Sequence, residues 1–285
     1  MKNSTNLAIT FFFCLSVLST TASAWTISAD FEEGDTGSIA VGPDAFSHTS
    51  NDIILDRNVE GDEITEAFSG KNVAKLDIRA NSAGFGTWGG ILDFPETLGK
   101  GDEIWYKVSI FFPEGFDYNA DPHLKFLRIN TPDGHLDWYI DNEGTANPFK
   151  FIYEGEQVWS RFGGEEDRIE FGKWETYEMY IKLDNVRSTE GGEAMVRVWK
   201  NGILLGTFLD RLTLADETTI ADYALLFTYW NGEKPPAQYL YVDDIVITTD
   251  TPSQTDSQGN YMIGTNPSIM DTSVSPLPPT QIRVE

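Results

Sequence analysis

The chain has 285 residues, with 45 Asp+Glu against 20 Lys+Arg, a formal net charge of −25 and one cysteine. One cysteine cannot build a disulfide scaffold, and so few cations cannot supply the basic surface of a sequence-independent nucleic-acid binder. A content of 40% hydrophobic and 13% aromatic residues is enough for a core and excludes disorder throughout.

Residues 1–24 read as a secretory signal peptide. Lys2 supplies the positive start, Leu7 to Leu18 the apolar run, and Ala22-Ser23-Ala24 the small-x-small cleavage pattern. The run is too short for a spanning helix of about 20 residues, and no second run follows, so a membrane partner is not expected. Cys14 sits in the apolar run, so cleavage after Ala24 leaves a cysteine-free protein, secreted or periplasmic. A single β domain is expected over 25–250. From Thr251 to Glu285 the composition turns to Ser, Thr, Pro, Gln and Asn, which predicts a flexible tail.

Inside 25–250 the hydrophobic period is 2. Strands are predicted at 73–79, 103–112, 123–130, 135–142, 148–153, 174–184, 195–200, 203–209, 223–230 and 238–248, with no amphipathic helix. Asn201-Gly202 between two strands predicts a type I′ hairpin, which needs positive φ at both residues. These ten, with an opening strand at Trp25–Gly34, make more than ten strands and imply two packed antiparallel sheets, an all-β jelly-roll sandwich.

Three stretches carry a family likeness: Trp25–Gly34, Lys173–Leu205 with its turn at Asn201-Gly202, and Tyr239–Thr249. Together they resemble the concanavalin-A-like jelly-roll superfamily of lectins, laminin-G-type modules, glycosidases and polysaccharide lyases. Within it, Ile104–Tyr139 is most similar to the glucuronan-lyase-like and heparin-lyase-like polysaccharide lyases. Fold alone does not give function.

The segment Asp121–Glu143 concentrates candidate chemistry. Read as a hairpin, it puts His123 and Lys125 on one face of the outgoing strand. His135, Asp137, Tyr139 and Asp141 share a face of the return strand. The apolar faces should enter the sandwich, leaving the polar ones in a common outer, concave trough. Arg128 falls on the apolar side unless a bulge intervenes. This set permits β-elimination of a uronate polysaccharide. That reaction needs a cation to neutralise the sugar carboxylate, a base for the C5 proton and an acid for the leaving oxygen. The lyase resemblance implies Lys125, with Arg128, in the first role, His123 or His135 in the second, and Tyr139 as the acid or as both acid and base.

Other readings stand beside it. A polar outer face is what any sandwich hairpin shows, and a net charge of −25 repels a polyuronate unless a local basic cleft offsets it. Asp137, Asp141 and Glu143 would serve a glycosidase, although DWYIDNE departs from the strand motif of the superfamily's glycosidases. A non-catalytic carbohydrate-binding or lectin-like module would use aromatic platforms among Trp88, Trp105, Trp159, Trp199 and Trp230. Trp88 and Trp230 lie in the most loop-like contexts, and Asp137 is a further sugar-contact candidate. No organic cofactor is implied, and a monomer is expected. A structural calcium ion could join Asp30 and Glu32 to Asp243 and Asp244, because one of two adjacent carboxylates in an apolar strand must otherwise face the core.

Overall fold

A computed structural model describes residues 24–45, 54–56 (backbone only), 67–81, 89–118, 124–140, 147–227 and 236–266. The signal-peptide segment lies outside the described residues. Alternating apolar residues fold into two antiparallel sheets packed face to face, as the period-2 pattern predicts. One sheet runs, edge to edge, β12 (Ile203–Phe208), β11 (Met195–Lys200), β10 (Trp174–Lys182), β5 (Glu103–Phe111), β14 (Gln238–Thr248), β3 (Val73–Ile78) and β2 (Ile54–Asp56). Strand β1 (Thr26–Ala29) also pairs with β14, beyond the end of β3. The other runs β4 (Gly90–Leu98), β13 (Ala221–Leu226), β6 (Leu124–Thr131), β7 (Gly134–Ile140), β8 (Phe149–Tyr153) and β9 (Val158–Phe162).

The core lies between the sheets. Ile104, Tyr106, Val108 and Ile110 of β5 and Tyr177, Met179 and Ile181 of β10 meet Phe126, Trp138, Phe149 and Phe151 of the smaller sheet. Edge-on ring pairs such as Phe126–Tyr177, centroids 4.9 Å apart, tie the two layers. The predicted hairpin turn is present, with φ +50° at Asn201 and +75° at Gly202.

Strands β4 and β9 escaped the periodicity reading. β4 contains Pro95, which a sheet tolerates because β4 is an edge strand.

Adjacent Asp243 and Asp244 do not put a carboxylate into the core. The β14–β5 register shifts between Asp243 and Val246, and Asp244 takes φ +49°. The bulge changes the parity of the strand, so Leu240 and Val242 before it and Ile245 and Ile247 after it all enter the core. Both carboxylates find protein partners. Asp243 accepts the amides of Ser69 and Asp244, and Asp244 accepts from Lys107 Nζ at 2.6 Å.

The domain also runs past residue 250. Residues 251–266, expected in the flexible tail, lie on the outer face of the larger sheet and include the short hairpin β15 (Gln254–Thr255) and β16 (Tyr261–Met262). Met262 packs in an outer cluster with Trp105, Tyr180 and Trp199, and hydrogen bonds add to it. Trp105 Nε1 donates to the Tyr261 carbonyl, Trp199 Nε1 to Asp256, and Lys107 Nζ to the Asn266 carbonyl. The amides of Ile263 and Gly264 donate to Glu178. Composition missed this because four anchoring partners (Trp105, Lys107, Glu178 and Trp199) lie on distant strands.

Candidate active site

Strands β6, β7 and β8 build the site by register. In the β6–β7 ladder Lys125 opposes Tyr139, but Leu127 opposes Trp138 and Arg128 opposes Asp137, so Phe126 is the extra residue of a bulge. The bulge is the condition under which Arg128 leaves the apolar side. Phe126 and Leu127 both enter the core, and Arg128 joins Lys125, Asn130, His135, Asp137 and Tyr139 on the outer face.

The side chains converge. Arg128 Nε donates to Asp137 Oδ1 at 2.6 Å, and the Tyr139 hydroxyl donates to Asp137 Oδ2 at 2.8 Å. Lys125 Nζ lies 4.0 Å from Asp137 Oδ2 and donates to Glu154 Oε1 at 3.2 Å. Arg128 Nη2 is 3.9 Å from the same glutamate oxygen. The His135 amide donates to Glu154 Oε2 at 3.1 Å. The His135 ring is half-buried and its Nδ1 has no hydrogen-bond partner.

Protonation follows from these neighbours. Burial, with Arg128 and Lys125 adding to it, lowers His135 to about 4, so the imidazole is neutral at physiological pH. Burial, then the adjacent Asp137, pushes the Tyr139 phenol far up, so it keeps its proton. Burial lifts Asp137 to about 6 against the pull of Arg128. Glu154 goes the other way. Burial opposes its ionisation, but the hydrogen bond with Asp137, the charge of Lys125 and the His135 amide hold it at about 2. The arrangement therefore offers two cations about one anion seat, now filled by Glu154, beside a protonated phenol held on Asp137 and a neutral imidazole.

Of the residues singled out in the sequence, Lys125, Arg128, His135, Asp137 and Tyr139 are brought together. His123, Asp141, Glu143, Trp88 and Trp230 lie outside the described residues. The expected open trough is corrected. Lys125, Arg128, Asp137 and Tyr139 are only 4%, 1%, 0% and 2% exposed. Tyr139 packs edge-on against Trp159 and lies under Lys125 Nζ, 5.5 Å from its ring centroid, so ion pairs and ring contacts close over the centre. Asp137 is not a solvent-facing sugar contact but the hub of that network. Sequence reading missed Glu154 and Lys150. Glu154 follows the end of β8, and only the β7–β8 pairing brings that end beside His135.

The four carboxylates named for calcium each accept hydrogen bonds, and Glu32 and Asp244 lie near enough to Asp243 for their charges to act on it. Asp30 accepts the Glu32 amide, Glu32 the amides of Lys71 and Asn72, and Asp243 and Asp244 the partners given above. Among the described residues no group of three or more His, Cys, Asp or Glu side chains is arranged to hold a metal ion. Strands β1 and β14 are joined by their ladder and by the Thr26–Thr248 hydroxyl pair at 2.7 Å.

No protein-family model matches the chain, and no curated protein sequence matches it. Solved structures do. The alginate lyase Aly36B superposes with a TM-score of 0.52 at 17% identity, over 78% of this chain and 96% of that one. An endo-β-1,4-glucuronan lyase from the fungus Trichoderma reesei superposes with a TM-score of 0.51 at 13% identity, over 78% and 94%. A mutant of Aly36B with bound alginate tetrasaccharide gives a TM-score of 0.51 at 18% identity, over 78% and 96%. Among the described residues no helix is long and apolar enough to cross a membrane. The chain has the fold of the jelly-roll polysaccharide lyases.

Proposed function

We propose that this protein is an exported polysaccharide lyase that cleaves a uronate-containing glycan by β-elimination. One observation supports the reading: Lys125 and Arg128 meet at a single anion seat of the outer face, with the protonated Tyr139 phenol held on Asp137 next to it and the neutral imidazole of His135 on the same face. That seat holds a carboxylate already. Glu154 sits at a chain turn with its side chain 28% exposed, so a sugar carboxylate can displace it and take its partners. Lys125 and Arg128 then draw charge from the uronate and acidify the C5 proton. His135 removes that proton, the C4–O bond breaks, the C4–C5 double bond forms, and the leaving oxygen takes the proton of Tyr139. Asp137 orients the phenol through its 2.8 Å hydrogen bond.

A second reading, a non-catalytic carbohydrate-binding sandwich, is favoured by the near-complete burial of Lys125, Arg128 and Asp137 in internal ion pairs. Substitution separates the two. Lys125→Ala and Tyr139→Phe are each expected to lower kcat by at least about 100-fold, the usual share of a positioned acid or charge stabiliser. Activity unchanged in both variants rejects the site. Retarded migration in a polyuronate gel without any unsaturated product supports the binding module.

A further inference from the structure

The ladders of the smaller sheet place a second feature beside the seat. Lys125 opposes Tyr139, Tyr139 opposes Lys150, and Lys150 opposes Arg161, so four outer-face residues form one straight row across β6, β7, β8 and β9. The row holds three cations and a phenol in a chain where acids outnumber bases by 45 to 20. In the next row Arg128, Asp137, Ile152 and Trp159 are aligned in the same way. Strand β9 is the edge of the sheet, and there the burial ends. Trp159 is 45% exposed and Arg161 is exposed, while Lys150 is 7% exposed. The Trp159 ring connects both rows, 5.2 Å from the Tyr139 ring and 5.9 Å from Lys150 Nζ. The nearby acid Glu156 is engaged by Arg187 and by the Leu212 amide.

We propose that Trp159, Arg161 and Lys150 form a second sugar subsite, which takes the neighbouring uronate of an anionic glycan and sets the direction in which the chain crosses the sheet. Strands in a sheet lie about 4.8 Å apart, roughly the length of one pyranose unit, so successive strands can address successive sugars. Trp159 offers the flat apolar face on which the C–H side of a pyranose stacks. Arg161 offers a planar fork that matches a carboxylate, and Lys150 a point charge below it. The glycan enters over the β9 edge and delivers its next residue to Tyr139. A neutral glycan gains the stacking but not the ion pair, so the subsite selects charge. This inference rests on the lyase reading for which sugar reacts, but binding at the subsite is measurable without turnover.

The test is calorimetric binding of size-defined alginate and glucuronan oligosaccharides to the full chain, alongside its Trp159→Ala and Arg161→Gln variants. Lyase kinetics are run in parallel, and thermal melts check folding. Both side chains are exposed on an edge strand, so both variants should fold. Each variant is expected to weaken binding of longer oligouronates about tenfold, the loss of one charged or stacking contact, and to raise KM. High salt should erase the Arg161 effect but not the Trp159 effect. Binding equal to that of the parent protein overturns the subsite, whatever the lyase assay gives. Weakened binding with no lyase activity in any protein keeps the subsite and rejects the reaction. No binding of any polyuronate by the parent protein overturns both.

Discussion

Asp137 holds the cluster together at the level of single residues. It is fully buried and accepts from Arg128 and Tyr139, so its carboxylate compensates cations that have lost their water. Removing one member of a buried ion pair strands the other. Asp137→Ala is therefore expected to cost about 3–5 kcal/mol of stability. Tyr139→Phe leaves the charges paired and removes one hydrogen bond, which costs about 1–2 kcal/mol. Urea unfolding compares the two, and equal losses would contradict the hub role of Asp137. His135 has its own signature. With three histidines in the chain, ring signals are resolvable by NMR. His135 should titrate near pH 4, and a midpoint near the ordinary 6.5 would remove the cause given for its neutrality. The alternation of DGHLDWYI already put His135, Asp137 and Tyr139 on one face. The position of Arg128 was not legible, because a bulge changes the parity of a strand without any sign in its composition. Glu154 was not legible either, since its role depends on pairing between strands.

At the level of elements, the segment 251–266 shows the limit of compositional reading. Its Ser, Thr, Gln and Asn content matches that of a flexible tail, yet buried Glu178, Trp105, Trp199 and Lys107 give it partners. A chain ending at Asp250 leaves Glu178 and Lys107 without those backbone partners and uncovers both indoles. Each buried polar group left unpaired costs about 1–3 kcal/mol, so this truncation should lower stability by several kcal/mol. A truncated protein that melts with the full chain would show that the strap contributes nothing. The strands themselves were largely legible, because apolar residues recur at every second position in strands such as β5 and β10 and Asn201-Gly202 fixes a turn. β4 was hidden by Pro95 and β9 by its mixed edge composition. Calcium belongs to this scale too. With β1 and β14 joined by their own ladder, calcium or a chelator should leave the melting temperature unchanged. A calcium-dependent rise would put a cation among these carboxylates.

Across the whole molecule, stability depends on carboxyls buried with their protons. Burial raises Glu178 to about 7 and Asp243 to about 8, against the amides that each accepts. A carboxyl whose folded pKa lies above its unfolded value makes the fold bind the extra proton. Its contribution is complete below the unfolded value and is lost as pH rises through the folded one. His135 and Glu154, both lowered, act in the opposite sense, but their windows close below pH 6.5 and 4.5. Between about pH 6.5 and 8 the buried carboxyls therefore dominate, and the melting temperature should fall as pH rises. A flat or rising profile over that interval would contradict their protonated state.

The central claim is that this sandwich breaks a glycosidic bond by elimination, with cations and a phenol gathered at one seat. Mass spectrometry of the oligosaccharides released from glucuronan and alginate tests it most directly. Elimination is expected to give products with an unsaturated non-reducing end, one water lighter than hydrolysis products, and to give them at least about 100-fold more slowly with the Tyr139→Phe variant. Products that carry the added water, or no products from either glycan while the folded protein still binds them, would contradict the claim.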